Sequence, residues 1–195
     1  MKVIFLDMDG VVNSGELIEQ WIRNKFTELE NDGNCYLGDE LRLAVRKAFS
    51  DEFCHSEELV FPQLAEKITK IVNETGAKIV WSSTWRKLAR YENMENAREM
   101  FNRRGLPGDA LIGYTPTVGM SWEGPCRGTE INMWIKNNVY GIVDKAAVID
   151  DRCDAGWNLP ECAWFFQTNE YIGITDNDVR RIIDFLNGKD IENED

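Results

Sequence analysis

The sequence predicts an α/β fold, with a central parallel sheet of about five strands flanked by helices and a small helical cap inserted after the first strand. Three observations predict it. Short apolar runs, the pattern of strands buried on both faces, alternate with segments whose apolar residues recur at helical spacing. Several of these runs end in acidic or hydroxyl residues, where open α/β sheets place their ligands. Two consecutive helical patterns stand between the first run and the second and interrupt the alternation.

The first strand is Val3-Ile4-Phe5-Leu6, followed at once by Asp7-Met8-Asp9-Gly10. Two acids one residue apart at a strand end cannot both be core residues. They point into a crevice and need a cation or protons to be tolerated together. Gly10 lets the chain turn sharply beside them. The plainer alternative is an ordinary acidic turn. Leu17, Trp21, Ile22, Phe26 and Leu29 then recur as one helix face, Asn31-Asp32-Gly33-Asn34 stops it, and Leu41, Val45, Ala48, Phe49 and Phe53 continue as a second. We read residues 14–56 as a cap over the first strand's end, the alternative being extra helices packed on the sheet. Residues 1–13 and 57–188 form the core, and 189–195 an acidic, frayed tail.

Pro62 opens the next helix, with Leu64, Ile68, Ile71 and Val72 inward and Gly76 at its end. Ala77–Trp81 is the second strand, and it runs into Ser82-Ser83-Thr84-Trp85-Arg86. Hydroxyls at a strand end before a helix start suit a phosphate, although Ser83 or Thr84 could equally be a helix N-cap. A helix with Met94, Ala97, Met100 and Phe101 inward ends near Gly105, and Asp109–Gly113 is a third strand. Residues 115–125 form a loop near the site in which Trp122 either stacks on a ligand or covers the core. Arg127-Gly128 begins a helix burying Ile131, Trp134 and Ile135. Ala146–Ile149 is the fourth strand and ends in Asp150-Asp151-Arg152-Cys153-Asp154, while Ala163–Phe166 is the fifth. Thr175 with Asp178 forms a capping box for the last helix, Asp176 to Asn187.

Composition narrows the partners. A net charge of −12 disfavours long polynucleotides and mildly favours a small substrate. No run of about 18 apolar residues occurs, and the N-terminus enters a strand directly, so neither a membrane-spanning helix nor a secretory signal is expected. Cys35, Cys54, Cys126, Cys153 and Cys162 lack CxxC spacing and are odd in number, as expected of reduced thiols in the cytoplasm. His55 is the single histidine and reads as an ordinary polar residue rather than a ligand or base.

The acid clusters of the first and fourth strands can converge only if those strands are neighbours. Convergent carboxylates call for a hard cation with oxygen ligands, and magnesium fits because it leaves room for a phosphate and water. With hydroxyls at Ser82 and Ser83 and a cation at Arg127, the constellation suits a phosphoryl group.

LDMDGVV, the hydroxyl-ended strand, the basic residue opening a helix, and VIDD together resemble the four ordered motifs of the haloacid dehalogenase (HAD) superfamily, over about residues 1–187 without the cap. VIDDR is similar to 5′(3′)-deoxyribonucleotidases. WSSTWR, RGTEI before a Trp-containing helix, and the late QTN…GIT resemble phosphatase-like modules of bacterial and phage RNA-repair proteins, with polynucleotide 3′-phosphatases as relatives of the same kind. The resemblance implies a Rossmann-like three-layer sandwich and a magnesium-dependent phosphomonoester hydrolase. In it Asp7 is the nucleophile that forms an aspartyl-phosphate, and Asp9 is the general acid and base. Ser82, Ser83 and Arg127 hold the phosphoryl oxygens. Magnesium is held by Asp7, the backbone carbonyl of Asp9 and Asp151, with Asp150 and Asp154 in support. The family's basic residue is usually Lys, which makes Lys145 the alternative to Arg127. The implied substrate is a phosphorylated small molecule such as a nucleotide, or a nucleic-acid phosphate end. A small cap favours something large or flexible and net acidity something small, so both stay open. The alternative function is a non-catalytic binding or regulatory protein of the same fold, which the intact Asp7/Asp9 pair opposes. Within the cap, the inward Trp21 or Phe26 either packs the two helices together, which their helical spacing favours, or faces a base, and Tyr36 is expected at the rim where it could stack on a base.

Overall fold

The computed structural model describes residues 1–31, 38–53, 59–118, 126–138 and 140–190. Among the described residues the five strands are β1 (Lys2–Leu6), β2 (Lys78–Trp81), β3 (Leu111–Tyr114), β4 (Lys145–Asp150) and β5 (Ala163–Gln167). They form one sheet in the order β3-β2-β1-β4-β5, and every pairing is parallel. The helices are α1 (Gly15–Asn31), α2 (Gly38–Phe53), α3 (Pro62–Thr75), α4 (Met94–Arg103), α5 (Arg127–Asn137) and α6 (Asp176–Leu186). This is the expected three-layer, Rossmann-like architecture.

The two faces of β1 explain the layers. Its side chains alternate, and because both faces are covered all four of Val3 to Leu6 are fully buried. Ile4 and Leu6 join a core with Leu64, Ile68 and Ile71 of α3, Met100 and Phe101 of α4, and Val179, Ile182 and Leu186 of α6. Val3 and Phe5 face the other way, into a smaller cluster with Ile131 and Trp134 of α5. There Phe5 and Trp134 meet edge to face, 5.4 Å between ring centroids. Trp81 is fully buried and meets Tyr91 and Phe101 the same way, at 5.2 and 5.3 Å.

Local signals act as read. Pro62 stands at the start of α3, and Gly76 closes it in the left-handed conformation at φ 67°. At α6, Thr175 Oγ1 accepts from Asp178 N and Asp178 Oδ2 accepts from Thr175 N, the reciprocal box expected from the sequence. Most ends shift by a single residue, and two readings differ by more. Asp109 and Ala110 lie in a 3-10 turn, because Ala110 N bonds back to Pro107 O, so β3 starts at Leu111. The hydroxyl turn after β2 enters a 3-10 helix, Thr84–Lys87, rather than an α-helix.

Helices α1 and α2 follow β1 directly. No residue of α1 is fully buried, yet Leu17, Ile18 and Trp21 pack on the larger core together with Phe49 of α2. Trp21 and Phe49 meet at 5.2 Å, so Trp21 joins the two helices as expected, while Phe26 lines a cavity between them. The chain leaves and re-enters the core through adjacent segments, since Phe61 N donates to Val12 O. No helix among the described residues is long and apolar enough to cross a membrane. Cys126, Cys153 and Cys162 are free thiols.

Candidate active site

Because β1 and β4 are neighbours and parallel, the residues after them emerge side by side. Asp7 N still pairs with Ile149 O at 3.0 Å, which holds the start of the acidic turn against β4. The result is a cluster in which carboxylate oxygens of Asp7, Asp150 and Asp151 all lie within 4.8 Å of one another. Asp7 and Asp150 are buried, and Asp151 is half-buried. Asp9 is exposed as a residue and is not part of that cluster.

The turn geometry depends on Gly10. Its φ is 66°, and a Cβ there would stand 2.7 Å from the Cβ of Asp151. Thr168, just after β5, closes the floor: its Oγ1 donates to Gly10 O at 2.8 Å and its N to Asp150 O at 3.0 Å.

Arg127, the first residue of α5, is the cation of the site. Its Nη1 stands 3.2 Å from Asp7 Oδ1 and 3.4 Å from Asp150 Oδ2, and its backbone N donates to Asp154 Oδ2 at 2.9 Å. Asp154 thereby anchors the acid-favouring N-terminus of α5. Lys145 begins β4 at the far end of the strand, with Nζ 4.6 Å from the centre of the Phe185 ring. Of the two candidate basic residues, Arg127 is beside the acids and Lys145 is remote.

On the opposite side of Asp7 the hydroxyl turn continues from β2. Ser82 N donates to Leu6 O at 2.8 Å, and both serines are buried. Ser83 caps the 3-10 turn by accepting from Trp85 N at 3.3 Å, and its hydroxyl counts among the groups that lower the Asp7 carboxyl, after Arg127 and the Met8 backbone. Ser82 Oγ is buried without a hydrogen-bond partner.

Electrostatics show what this arrangement lacks. Burial pushes the Asp7 carboxyl up to about 6 despite the opposing charge of Arg127. Burial, and then the charge of Asp7, push Asp150 up to about 7. Burial also raises Asp151. Asp150 Oδ1 accepts from Arg152 N at 2.9 Å, whereas Oδ2 has no hydrogen bond, only the Arg127 charge nearby. One guanidinium cannot neutralise three acids. An all-oxygen donor set with an orphaned buried oxygen fits a hard divalent cation such as magnesium, and no thiol or imidazole competes for it among the three.

Several participants were not expected from the sequence. Trp85 Nε1 donates to Asp9 Oδ2 at 2.9 Å, and Asn13 Nδ2 donates to Asp9 Oδ1 at 2.9 Å. Arg86 is buried behind the hydroxyl turn. It donates to the carbonyls of Ser82, Ser83 and Thr115 and pairs with Glu130 of α5 at 2.6 Å. WSSTWR was noticeable as a motif, but nothing in its spacing tells which atoms Trp85 and Arg86 reach. Tyr36, Trp122 and His55 lie outside the described residues.

The profile of the HAD domain in Swiss Army Knife RNA repair proteins matches residues 3–179. The chain belongs to this family. The match includes all five strands and runs across α1 and α2. Membership makes this HAD domain one of phosphatase type, of the RNA-repair kind. No curated protein and no solved structure gave a match.

Proposed function

We propose that the chain is a magnesium-dependent phosphomonoester hydrolase that works through an aspartyl-phosphate on Asp7, with a nucleotide or a nucleic-acid 3′ or 5′ phosphate end as substrate. The observation that carries this reading is the convergence of Asp7, Asp150 and Asp151 beside Arg127, with the exposed Asp9 two residues from Asp7.

An Asp7 carboxylate oxygen attacks phosphorus as the bond to the leaving oxygen breaks. Asp9 delivers its proton to that oxygen. Water then attacks the phosphorus, Asp9 takes the water proton, and inorganic phosphate leaves as the Asp7 carboxylate is restored. Arg127 and the Ser82/Ser83 turn bind the transferring oxygens; Arg127 and the buried serines are already fixed before substrate arrives, which is where charge stabilisation is most effective. The unpartnered Ser82 Oγ is a donor free for a phosphate oxygen. Asp7, Asp150 and Asp151, with the backbone carbonyl of Asp9, are the residues that would hold magnesium. When bound, it neutralises the acids and withdraws charge from the phosphate. Residues 14–56 act as the cap that reads the rest of the substrate.

The test is a panel of nucleoside monophosphates and of 3′- and 5′-phosphorylated RNA and DNA oligonucleotides, assayed for inorganic phosphate with magnesium and with excess chelator. Magnesium-dependent release from at least one class is expected. Undiminished release in chelator excludes the metal, and no release from any member, nor from an aryl phosphate, excludes the phosphatase reading.

A further inference from the structure

Asp9 is exposed, yet neither of its carboxylate oxygens is free to swing. Oδ1 accepts from Asn13 Nδ2 and Oδ2 from Trp85 Nε1, each at 2.9 Å. Both donors are buried. Trp85 has a single side-chain donor, and it is directed at Asp9. Its ring is wedged in the larger core, and its backbone N is held by Ser83 Oγ. The Asn13 amide is equally fixed. Its Oδ1 accepts from Gly10 N at 3.0 Å, and its Nδ2 also reaches Leu59 O at 3.2 Å, so the amide can be oriented only one way. An exposed carboxylate ordinarily samples several rotamers. Here two rigid donors on opposite oxygens fix both side-chain torsions.

We infer that Trp85 and Asn13 are positioning residues that lock the Asp9 carboxyl so that it can act on the leaving oxygen and then on water without reorienting. The inference rests on the reading of Asp9 as general acid and base. The geometric need is plain. Both proton transfers happen on the side of phosphorus opposite Asp7, the first to the departing oxygen and the second from the water that takes its place. A carboxyl held in one orientation serves both. Each oxygen keeps a second lone pair beyond the one its donor occupies, so the proton can still be carried. The turn after β2 also serves two parts of the site at once, since Ser82 N is held by Leu6 O, next to Asp7, while Trp85 holds Asp9.

The test is Trp85→Phe, which keeps an aromatic ring in the core and removes the N–H, with Asn13→Ser as a second variant and Asp9→Asn as control. Two substrates separate the steps. p-Nitrophenyl phosphate expels its phenolate without a proton, whereas a nucleoside monophosphate expels an alkoxide that needs one. For Trp85→Phe we expect kcat on the nucleoside monophosphate to fall roughly 10- to 100-fold, part of the range general acid–base catalysis supplies, with little change in KM. On p-nitrophenyl phosphate we expect a burst of nitrophenolate equal to the enzyme concentration and then slow turnover, because phosphorylation proceeds while water activation is impaired. Trp85→Phe turnover within about 2-fold of wild type on both substrates overturns the inference. So does a loss on both without a burst, which marks a purely structural role. If Trp85→Phe does not fold, Asn13→Ser is judged by the same two criteria. Full activity in Asp9→Asn instead defeats the general acid–base reading itself, whatever Trp85 does.

Discussion

The most direct physical consequence of the site is a dependence of stability on pH that magnesium abolishes. Burial raises Asp7 to about 6, and burial with the charge of Asp7 raises Asp150 to about 7, from an ordinary value of 3.8. An acid whose folded-state pKa is raised binds more protons folded than unfolded, so stability falls as pH rises between the two values. From pH 5 to 7.5 the metal-free protein should lose about 2–3 kcal/mol through Asp150 and about 1 kcal/mol through Asp7. Because the two neighbouring carboxyls do not titrate independently, about 3–4 kcal/mol is an upper bound, or roughly 6–16 °C in Tm at about 2–4 °C per kcal/mol. Other acids titrate too, so the decisive comparison is with Asp150→Asn. The variant removes the larger share, and its Tm should fall less over the same interval in chelator. Saturating magnesium at pH 7.5 should raise the wild-type Tm and leave the variant's far less changed. Thermal scans at pH 5 and 7.5, with chelator and with magnesium, measure all of this. Identical pH dependence in both proteins, or no magnesium effect on wild type, refutes the electrostatic account of the cluster.

Asp7→Asn should lower turnover by at least ~10³-fold with the fold intact, measured as kcat on any accepted phosphomonoester beside a circular dichroism melt. Calcium should compete with magnesium and inhibit, since it prefers more ligands at longer distance, and a titration at fixed magnesium reads this. Glu130→Leu strands the buried Arg86 cation and should cost about 3–5 kcal/mol in urea denaturation, far more than an exposed pair is worth. Gly10→Ala meets both a positive φ and the Asp151 side chain, so it should destabilise by about 1–3 kcal/mol and raise the magnesium concentration needed for half-maximal activity.

The fold was legible wherever the chemistry repeats. Buried parallel strands leave apolar runs, and the acids after Leu6 and Ile149 demanded that β1 and β4 be adjacent, as they are. Caps at Pro62, Gly76 and Thr175 were legible because each is a local bond over a few residues. The start of β3 was misplaced because Ala110 looks apolar in sequence while its backbone is committed to a turn. In the site, acids and hydroxyls stood out by residue type. Their supports did not. Trp85 reaches Asp9 across 76 residues and Thr168 reaches Gly10 across 158, and a single long-range hydrogen bond imposes no spacing on the chain.

The turn after β2 shows why such supports cannot be read one residue at a time. In a 3-10 helix successive side chains diverge by about 120°. Trp85 and Arg86 therefore leave the same turn in different directions, Trp85 into the core under α3 and α4, Arg86 toward α5 on the other face of the sheet. Between them the carbonyls of Ser82 and Ser83 are held by Arg86, at 3.2 and 2.6 Å, while Ser83 Oγ is held by the backbone of Trp85. The hydroxyl turn is thus fixed from both layers at once. Through Arg86, Glu130 of α5 is tied to the carbonyls of the serines beside Asp7. The same turn presents Trp85 Nε1 to Asp9 Oδ2. Asp7 and Asp9 follow β1 directly, and Ser82 N bonding to Leu6 O and Trp85 bonding to Asp9 align this turn with both acids.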